Sequence, residues 1–179
     1  MNIQQANTAI FFGTDTGNTE EVADKIIQLL NKQGHVINKH NIADADLEEF
    51  MTYDLIIFGI PTWDFGGIQE DWEELEDELG LLNLEHTKIA IYGLGDQFGY
   101  GDYFIDAVGW LYEKLRPTQA KIIGKWPSEG YEFEESRACI DNNKSEFCGL
   151  AIDEDQQFEQ SDQRIEKWVL QIVNEFETL

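Results

Sequence analysis

The chain has 179 residues, of which 36 are acidic and only 12 are lysine or arginine, so its net charge is −24. A chain of this length can bury one good core and no linker-like segment divides it, so we expect one domain over residues 1–179. The charge repels nucleic-acid phosphates and anionic lipid head groups and favours encounter with a basic protein surface. We therefore expect no nucleic-acid partner and no membrane partner.

The cysteines and the hydropathy indicate the compartment. Cys139 and Cys148 form no C-x-x-C pair, and two cysteines in a chain of this length make no disulfide framework. No apolar run reaches membrane-spanning length, and we expect no signal peptide. These features predict a cytoplasmic monomer with reduced thiols.

Strand-like and helical segments alternate along the chain, which is typical of a parallel sheet covered by helices on both faces. The strands are predicted at residues 9–12, 36–41, 55–59 and 88–93, with a fifth that begins at 120–124 and is completed at 147–152 after an insertion (residues 125–146). The helices are predicted at residues 20–33, 70–79, about 104–115, and over the apolar residues of 165–176. Pro61 is expected to stop the third strand.

The stretch Gly13-Thr14-Asp15-Thr16-Gly17-Asn18-Thr19, here called the phosphate loop, joins the first strand to the first helix. The N–H groups of a helix start bind anions without a cationic side chain, and three threonine hydroxyls add donors. Gly13 and Gly17 would let the backbone approach the anion. The alternative is an ordinary turn in which Thr16 or Thr19 only caps the helix.

Two further loops should meet the phosphate loop, because ligands of open parallel sheets bind beyond the carboxyl ends of the strands. The tryptophan loop (residues 61–69) carries Trp63 and Phe65. The tyrosine loop (residues 94–102) carries Phe98 and Tyr100, and Tyr103 follows it. Exposed aromatic rings above a phosphate site indicate a planar ligand held between two faces. The alternative is that these rings cover the sheet end or a partner-binding patch.

Other nucleotide motifs fit less well. Gly17-Asn18-Thr19 lacks the lysine of a Walker A loop, and the glycines at 93 and 95 lack the third glycine of a dinucleotide fingerprint. One phosphate and one flat ring remain, which indicates a mononucleotide. Flavin mononucleotide (FMN) is the redox-competent choice.

Four motifs, in order along the chain, resemble those of the flavodoxin family. Residues 14–19 match the T-x-T-G-x-T loop of the family, and residues 61–63 and 95–100 match its two loops that hold the ring. Residues 150–155 resemble the segment after its last strand. The insertion resembles that of the long-chain group. The resemblance implies a three-layer α/β fold with a five-stranded parallel sheet in the order 2-1-3-4-5, helices on both faces and an insertion in the last strand.

The resemblance also implies roles for individual residues. Trp63 and Tyr100 would flank the flavin, Asp96 would face its pyrimidine edge, and Asp155 would approach the ribityl chain. The Asp64–Phe65 peptide would turn over on reduction. The full set implied to bind FMN is Thr14, Asp15, Thr16, Gly17, Asn18, Thr19, Pro61, Thr62, Trp63, Asp64, Phe65, Gly66, Gly95, Asp96, Tyr100 and Asp155.

We expect a low-potential electron carrier that works between the basic surface of a flavodoxin reductase and acceptor redox enzymes. It would not be an enzyme, because His35, His40 and His86 are scattered, lie outside the three loops and are predicted to be on the surface. An FMN-dependent NAD(P)H:quinone reductase is the alternative. A phosphorylated signalling receiver is a third possibility, although the third strand lacks an acceptor aspartate.

Overall fold

The computed structural model describes residues 1–179. Its strands are β1 (Thr8–Phe12), β2 (Asn38–Asn41), β3 (Leu55–Trp63), β4 (Gly67–Ile68), β5 (Lys88–Leu94), β6 (Lys121–Ile123), β7 (Trp126–Pro127), β8 (Glu146–Phe147) and β9 (Leu150–Ile152). The α-helices are α1 (Asn18–Lys32), α2 (Glu70–Glu73), α3 (Glu76–Leu79), α4 (Asp106–Leu115) and α5 (Phe158–Thr178). None of these helices combines the length and the apolar character that a membrane span requires.

The central sheet is parallel and has the order β2-β1-β3-β5-β6. β9 continues the position of β6, because it pairs in parallel with the second half of β5. Counting β5 as the fourth strand and β6 with β9 as the fifth, the predicted order 2-1-3-4-5 and the split last strand are confirmed. The sheet is buried: the five residues of β1 and the first seven of β3 are all inaccessible or nearly so.

Helices cover both faces of the sheet, as two neighbouring residues of β5 demonstrate. The ring of Tyr92 lies 6.5 Å from that of Trp168 in α5, and its hydroxyl donates to the Thr19 carbonyl in α1 at 2.8 Å. Gly93, the next residue, lies against Val108 of α4. Successive strand residues point to opposite faces. Hence α1 and α5 form one layer and α4 lies in the other.

Two segments differ from the prediction. β3 continues through Pro61 to Trp63, although a stop at Pro61 was expected. A strand position without its own N–H is tolerated here because β1 pairs with β3 only as far as Gly59, so the end of β3 has a parallel neighbour on one side alone. The helix predicted over 70–79 is broken into α2 and α3. Seven acidic residues at 70–78 repel one another at i,i+3 and i,i+4 spacing, which disfavours one continuous helix.

The insertion packs against the last strand and α5. It forms the antiparallel pair β7–β8, and the Tyr131 hydroxyl donates to the Ala151 carbonyl of β9 at 2.6 Å. The guanidinium of Arg164 in α5 lies 3.9 Å from the centre of the Tyr131 ring. The insertion is therefore part of the packed structure beside the carboxyl end of the sheet.

The prediction of three surface histidines is wrong for His35, which is buried, and His40 is half-buried. His40 stacks on Phe11 with ring centres 4.7 Å apart. His35 is only 6% exposed, and its Nδ1 atom has no hydrogen-bond partner. Burial lowers the pKa of His35, while the carboxylate of Glu177 opposes this shift. His86 alone is exposed.

The buried His35 predicts a pH dependence of stability. Because its folded-state pKa is lowered, the unfolded chain binds a proton first, and stability falls as the pH drops through about 6.5. We expect His35→Asn to lose less stability than the wild type between about pH 7.5 and 5.5, measured by urea unfolding. The exposed His86→Asn serves as the control and should follow the wild type. Parallel curves for all three proteins would contradict this prediction.

Candidate functional site

A cavity opens at the carboxyl end of the sheet, where the phosphate, tryptophan and tyrosine loops meet a fourth segment, the β9–α5 loop (residues 153–157). Three predicted site residues do not line this cavity, namely Gly17, Phe65 and Gly66. Three residues that were not predicted do line it, namely Leu94, Tyr103 and Glu154. The full lining is Thr14, Asp15, Thr16, Asn18, Thr19, Pro61, Thr62, Trp63, Asp64, Leu94, Gly95, Asp96, Tyr100, Tyr103, Glu154 and Asp155.

The phosphate loop ends in a helix start that no side chain caps. Gly17 is the residue before α1 and has a φ of 94°, a left-handed conformation that favours glycine. No side chain accepts a hydrogen bond from the first N–H groups of α1. Thr14 Oγ1 accepts the Gly17 N–H at 2.9 Å and so closes the loop. Neither Thr16 nor Thr19 caps the helix, so the simple capped turn is not what forms. The first N–H groups of α1 have no intrahelical partner and lie at a cavity without lysine or arginine.

Gly13 has a packing role in addition to the expected one at the anion site. A Cβ atom at this position would lie 2.7 Å from Trp72 Cδ1 and would collide with the Gln69 side chain. Trp72 and Gln69 are buried, and Gln69 Nε2 donates to Asp15 Oδ1 at 3.2 Å and to Asp71 Oδ2 at 2.6 Å. The glycine therefore allows the start of α2 to pack directly against the phosphate loop.

The tryptophan loop turns back on itself immediately after Trp63. Trp63 pairs with Gly67, which closes a three-residue turn in which Asp64 has a φ of 43°. The Trp63 Nε1 atom is buried and has no hydrogen-bond partner. The fold therefore leaves one buried donor of this residue unpaired, which costs stability.

The two aromatic loops are joined across the cavity mouth by one hydrogen bond. The Tyr100 hydroxyl donates to Asp64 Oδ1 at 3.1 Å, and this bond to a carboxylate raises the pKa of Tyr100. Phe65 is 76% exposed and lies edge-on to Tyr100 and Tyr103, with ring centres 5.7 and 5.8 Å away. Phe65 therefore supports these tyrosines from outside the cavity.

Asp96 organises the tyrosine loop. Its Oδ1 accepts the N–H groups of Phe98 (3.0 Å) and Gly99 (2.7 Å) and the side-chain amide of Gln156 (3.0 Å). Only Oδ2 remains for a ligand. Partial desolvation raises the pKa of Asp155, and the carboxylates of Asp96, Asp153 and Glu154 raise it further. This side of the cavity is therefore strongly negative.

The three unpredicted lining residues each have a simple cause. Leu94 reaches the cavity because β5 extends one residue beyond its predicted end. Tyr103 follows the tyrosine loop, and its aromatic character was the signal that could have identified it. Glu154 adjoins Asp155, and acidic composition alone gave no reason to choose one over the other.

Thr62, which was predicted to face the ligand, also accepts the Ala107 N–H at 3.1 Å and so binds the start of α4.

A parallel sheet with a cation-free anion site at its switch point and aromatic rings above it defines a nucleotide-binding protein of the doubly wound α/β type. Comparison with known proteins identifies the family within that class. A sequence model described as flavodoxin matches residues 10–168. Flavodoxin 2 of Escherichia coli is 46% identical over 169 residues, covering 94% of this chain and 96% of the relative. The flavodoxin of Synechococcus elongatus is 42% identical over 171 residues, covering 96% of this chain and 98% of the relative.

Solved structures agree with the sequence comparison. The crystal structure of Fusobacterium nucleatum flavodoxin bound to flavin mononucleotide has a TM-score of 0.87 and 27% identity, covering 96% of this chain and 99% of the other. The chain therefore belongs to the flavodoxin family. The cavity lies beyond the carboxyl ends of the strands, as the ligand sites of flavodoxin and other open α/β sheets do.

Proposed function

We propose that this protein carries electrons at low potential on one non-covalently bound FMN. The observation that carries the proposal is the cavity itself, which combines an uncapped helix start with Trp63 and Tyr100 on the neighbouring loops. The family supports it, because a flavodoxin of similar structure binds flavin mononucleotide. The curated relatives are named flavodoxin, so an NAD(P)H:quinone reductase is not favoured.

The residues of the cavity fit FMN. Backbone N–H groups of residues 15–19 and the hydroxyls of Thr14, Thr16 and Thr19 would hold the phosphate, with no cation required. Trp63 and Tyr100, which both line the cavity, would flank the ring. When bound, FMN supplies the redox chemistry at its ring.

The chain's own residues favour a low potential. A tenfold difference in affinity between two redox states is roughly 59 mV for one electron. Asp64 and Asp96 on the ring loops and Asp155 at the ribityl end all line the cavity, and no lysine or arginine does. These carboxylates oppose added negative charge on the ring, so they bind the reduced cofactor less tightly than the oxidised one. The potential of the second reduction step should therefore lie below that of free FMN.

The first test is the absorption spectrum and redox titration of the purified protein. We expect one FMN per chain and a second reduction potential more negative than that of free FMN. A colourless protein, or a second potential above that of free flavin, would contradict the proposal. Steady oxidation of NAD(P)H by the purified protein alone would instead support the reductase alternative.

The phosphate loop can be tested separately from the ring loops. Replacing Thr16 and Thr19 together with alanine removes two hydroxyl donors that only a phosphate would use. Each hydrogen bond to a charged group is worth about 1.5–3 kcal/mol, so the loss of both should lower FMN affinity by about a hundredfold or more. Riboflavin, which has no phosphate, should bind as it does to the wild type. Equal losses for the two ligands in fluorescence titrations would refute the assignment.

We also propose that redox partners of this cytoplasmic monomer present a basic surface to α2 and α3, which are rich in acidic residues. Gln69, directly before α2, donates to Asp15 of the phosphate loop, so these helices begin beside the cavity. Opposite charges accelerate encounter and are screened by salt. Glu73 and Glu74 are exposed and have no ion-pair partner.

Reversing these charges should slow electron transfer. We expect Glu73→Lys with Glu74→Lys to reduce the rate of reduction by a basic flavodoxin reductase at low salt, with the difference disappearing at high salt. The matched control reverses Glu85 and Glu166, which are also exposed but lie before β5 and in the middle of α5. Identical rates for the two double variants would show that only net charge matters.

A further inference from the structure

A single buried carboxylate fastens two of the cavity loops to each other. Asp153 directly follows β9 and is inaccessible to solvent. Its Oδ1 accepts the backbone N–H groups of Asp155 at 3.1 Å and Gln156 at 2.9 Å. Its Oδ2 accepts the backbone N–H of Gln97 at 3.0 Å and the Gln97 side-chain Nε2 at 2.8 Å. One oxygen therefore binds the β9–α5 loop, and the other binds the tyrosine loop.

These four N–H groups are the only hydrogen-bond donors to the Asp153 side chain. No lysine or arginine forms an ion pair with it. Hydrogen bonds from N–H donors stabilise a buried carboxylate specifically, whereas an amide of the same shape offers only one acceptor oxygen. The arrangement consequently requires an aspartate, and asparagine would leave two donors facing an NH₂ group.

The two fastened loops carry residues of the proposed FMN site. Asp96 immediately precedes Gln97, and Tyr100 lies three residues after it; Asp155 is itself one of the residues that Asp153 holds. The insertion joins the same network, because the buried side-chain oxygen of Gln97 accepts the Glu132 N–H at 2.6 Å. The phosphate loop has no bond to Asp153 or Gln97.

We propose that Asp153 is a positioning residue that sets the separation between the tyrosine loop and the β9–α5 loop, with Gln97 connecting both to the insertion. The inference rests on the proposed function, because the ligand used to test it is FMN. Asp153 acts on the ring and ribityl end of the site and leaves the phosphate end unchanged. Loss of its hydrogen bonds therefore weakens FMN and riboflavin by the same factor.

The first variant is Asp153→Asn, which keeps the shape of the side chain. We expect the affinity for FMN and for riboflavin to fall about tenfold or more, since two buried N–H donors lose their acceptor. Asp44→Asn is the charge-matched control, because Asp44 is exposed, does not line the cavity and forms no hydrogen bond through its side chain. It should bind FMN as the wild type does. A loss for FMN alone would place the effect in the phosphate loop and overturn the proposal.

The second variant, Gln97→Glu, provides a pH profile that a general loss of stability would not produce. It places two carboxylates in hydrogen-bond contact without a cation, so the pair must share a proton. We expect its riboflavin affinity, divided by that of the wild type, to be reduced at about pH 8 and to recover at about pH 5.5. A ratio that does not change with pH would contradict the role given to the Asp153–Gln97 pair.

The last variant in this experiment combines the two substitutions. The double variant Asp153→Asn with Gln97→Glu restores an amide opposite a carboxylate, so it should bind riboflavin at about pH 8 more tightly than Gln97→Glu alone does. Thermal melting of each apoprotein, in which ligand affinity plays no part, separates folding from positioning. A wild type that binds no FMN refutes the proposed function. A wild type that binds FMN together with an Asp153→Asn variant that is folded and binds it equally well refutes only the positioning role.

Discussion

The carbonyl oxygen of Gly59 is the junction on which the site depends. It accepts the Gly13 N–H at 3.1 Å and the Trp72 indole N–H at 3.0 Å. The phosphate loop leaves the sheet there, β3 continues toward Trp63, and α2 is fixed against both. A Cβ atom on Gly59 would strike the ring of Tyr92, whose hydroxyl binds the start of α1 through Thr19. One small backbone unit thus sets the relative positions of the loop that would hold the phosphate and the strand that carries the first aromatic ring.

Sequence patterns were sufficient for the sheet and for the positions of the loops. The apolar runs of β1, β3 and β5 are long and bounded by glycine and proline, so their existence and order could be predicted. The end of β3 could not, because whether proline is tolerated depends on which neighbours are present at that level of the sheet. The role of Gly13 was equally hidden, since it depends on the packing of Trp72 from a distant helix. Asp153 was overlooked because its sequence neighbours are also acidic, and only burial distinguishes it from them.

The few cations of this acidic chain are used for the scaffold. Lys25, Lys114 and Arg137 pair with carboxylates of helices, and Lys88 and Lys121 donate to the last carbonyl groups of the chain, beside the end of α5. None lines the cavity. These cations therefore neutralise carboxylates and chain-end carbonyl groups in the scaffold, which helps a chain with a net charge of −24 to fold. The carboxylates that line the cavity are left without a neighbouring cation.

The last strand position of the sheet is filled by two separate segments, β6 and β9, which reach it by different routes along the chain. The first half of β5 pairs with β6, which follows α4 at once, whereas the second half pairs with β9, which the chain reaches only after the whole insertion. Closing the longer loop costs more conformational entropy, so β9 is the costlier of the two partners of β5 to bring into place. Because the β9–α5 loop follows directly from β9, the cavity depends on how the insertion places that strand, whereas the amino half of β5 has its partner independently of the insertion.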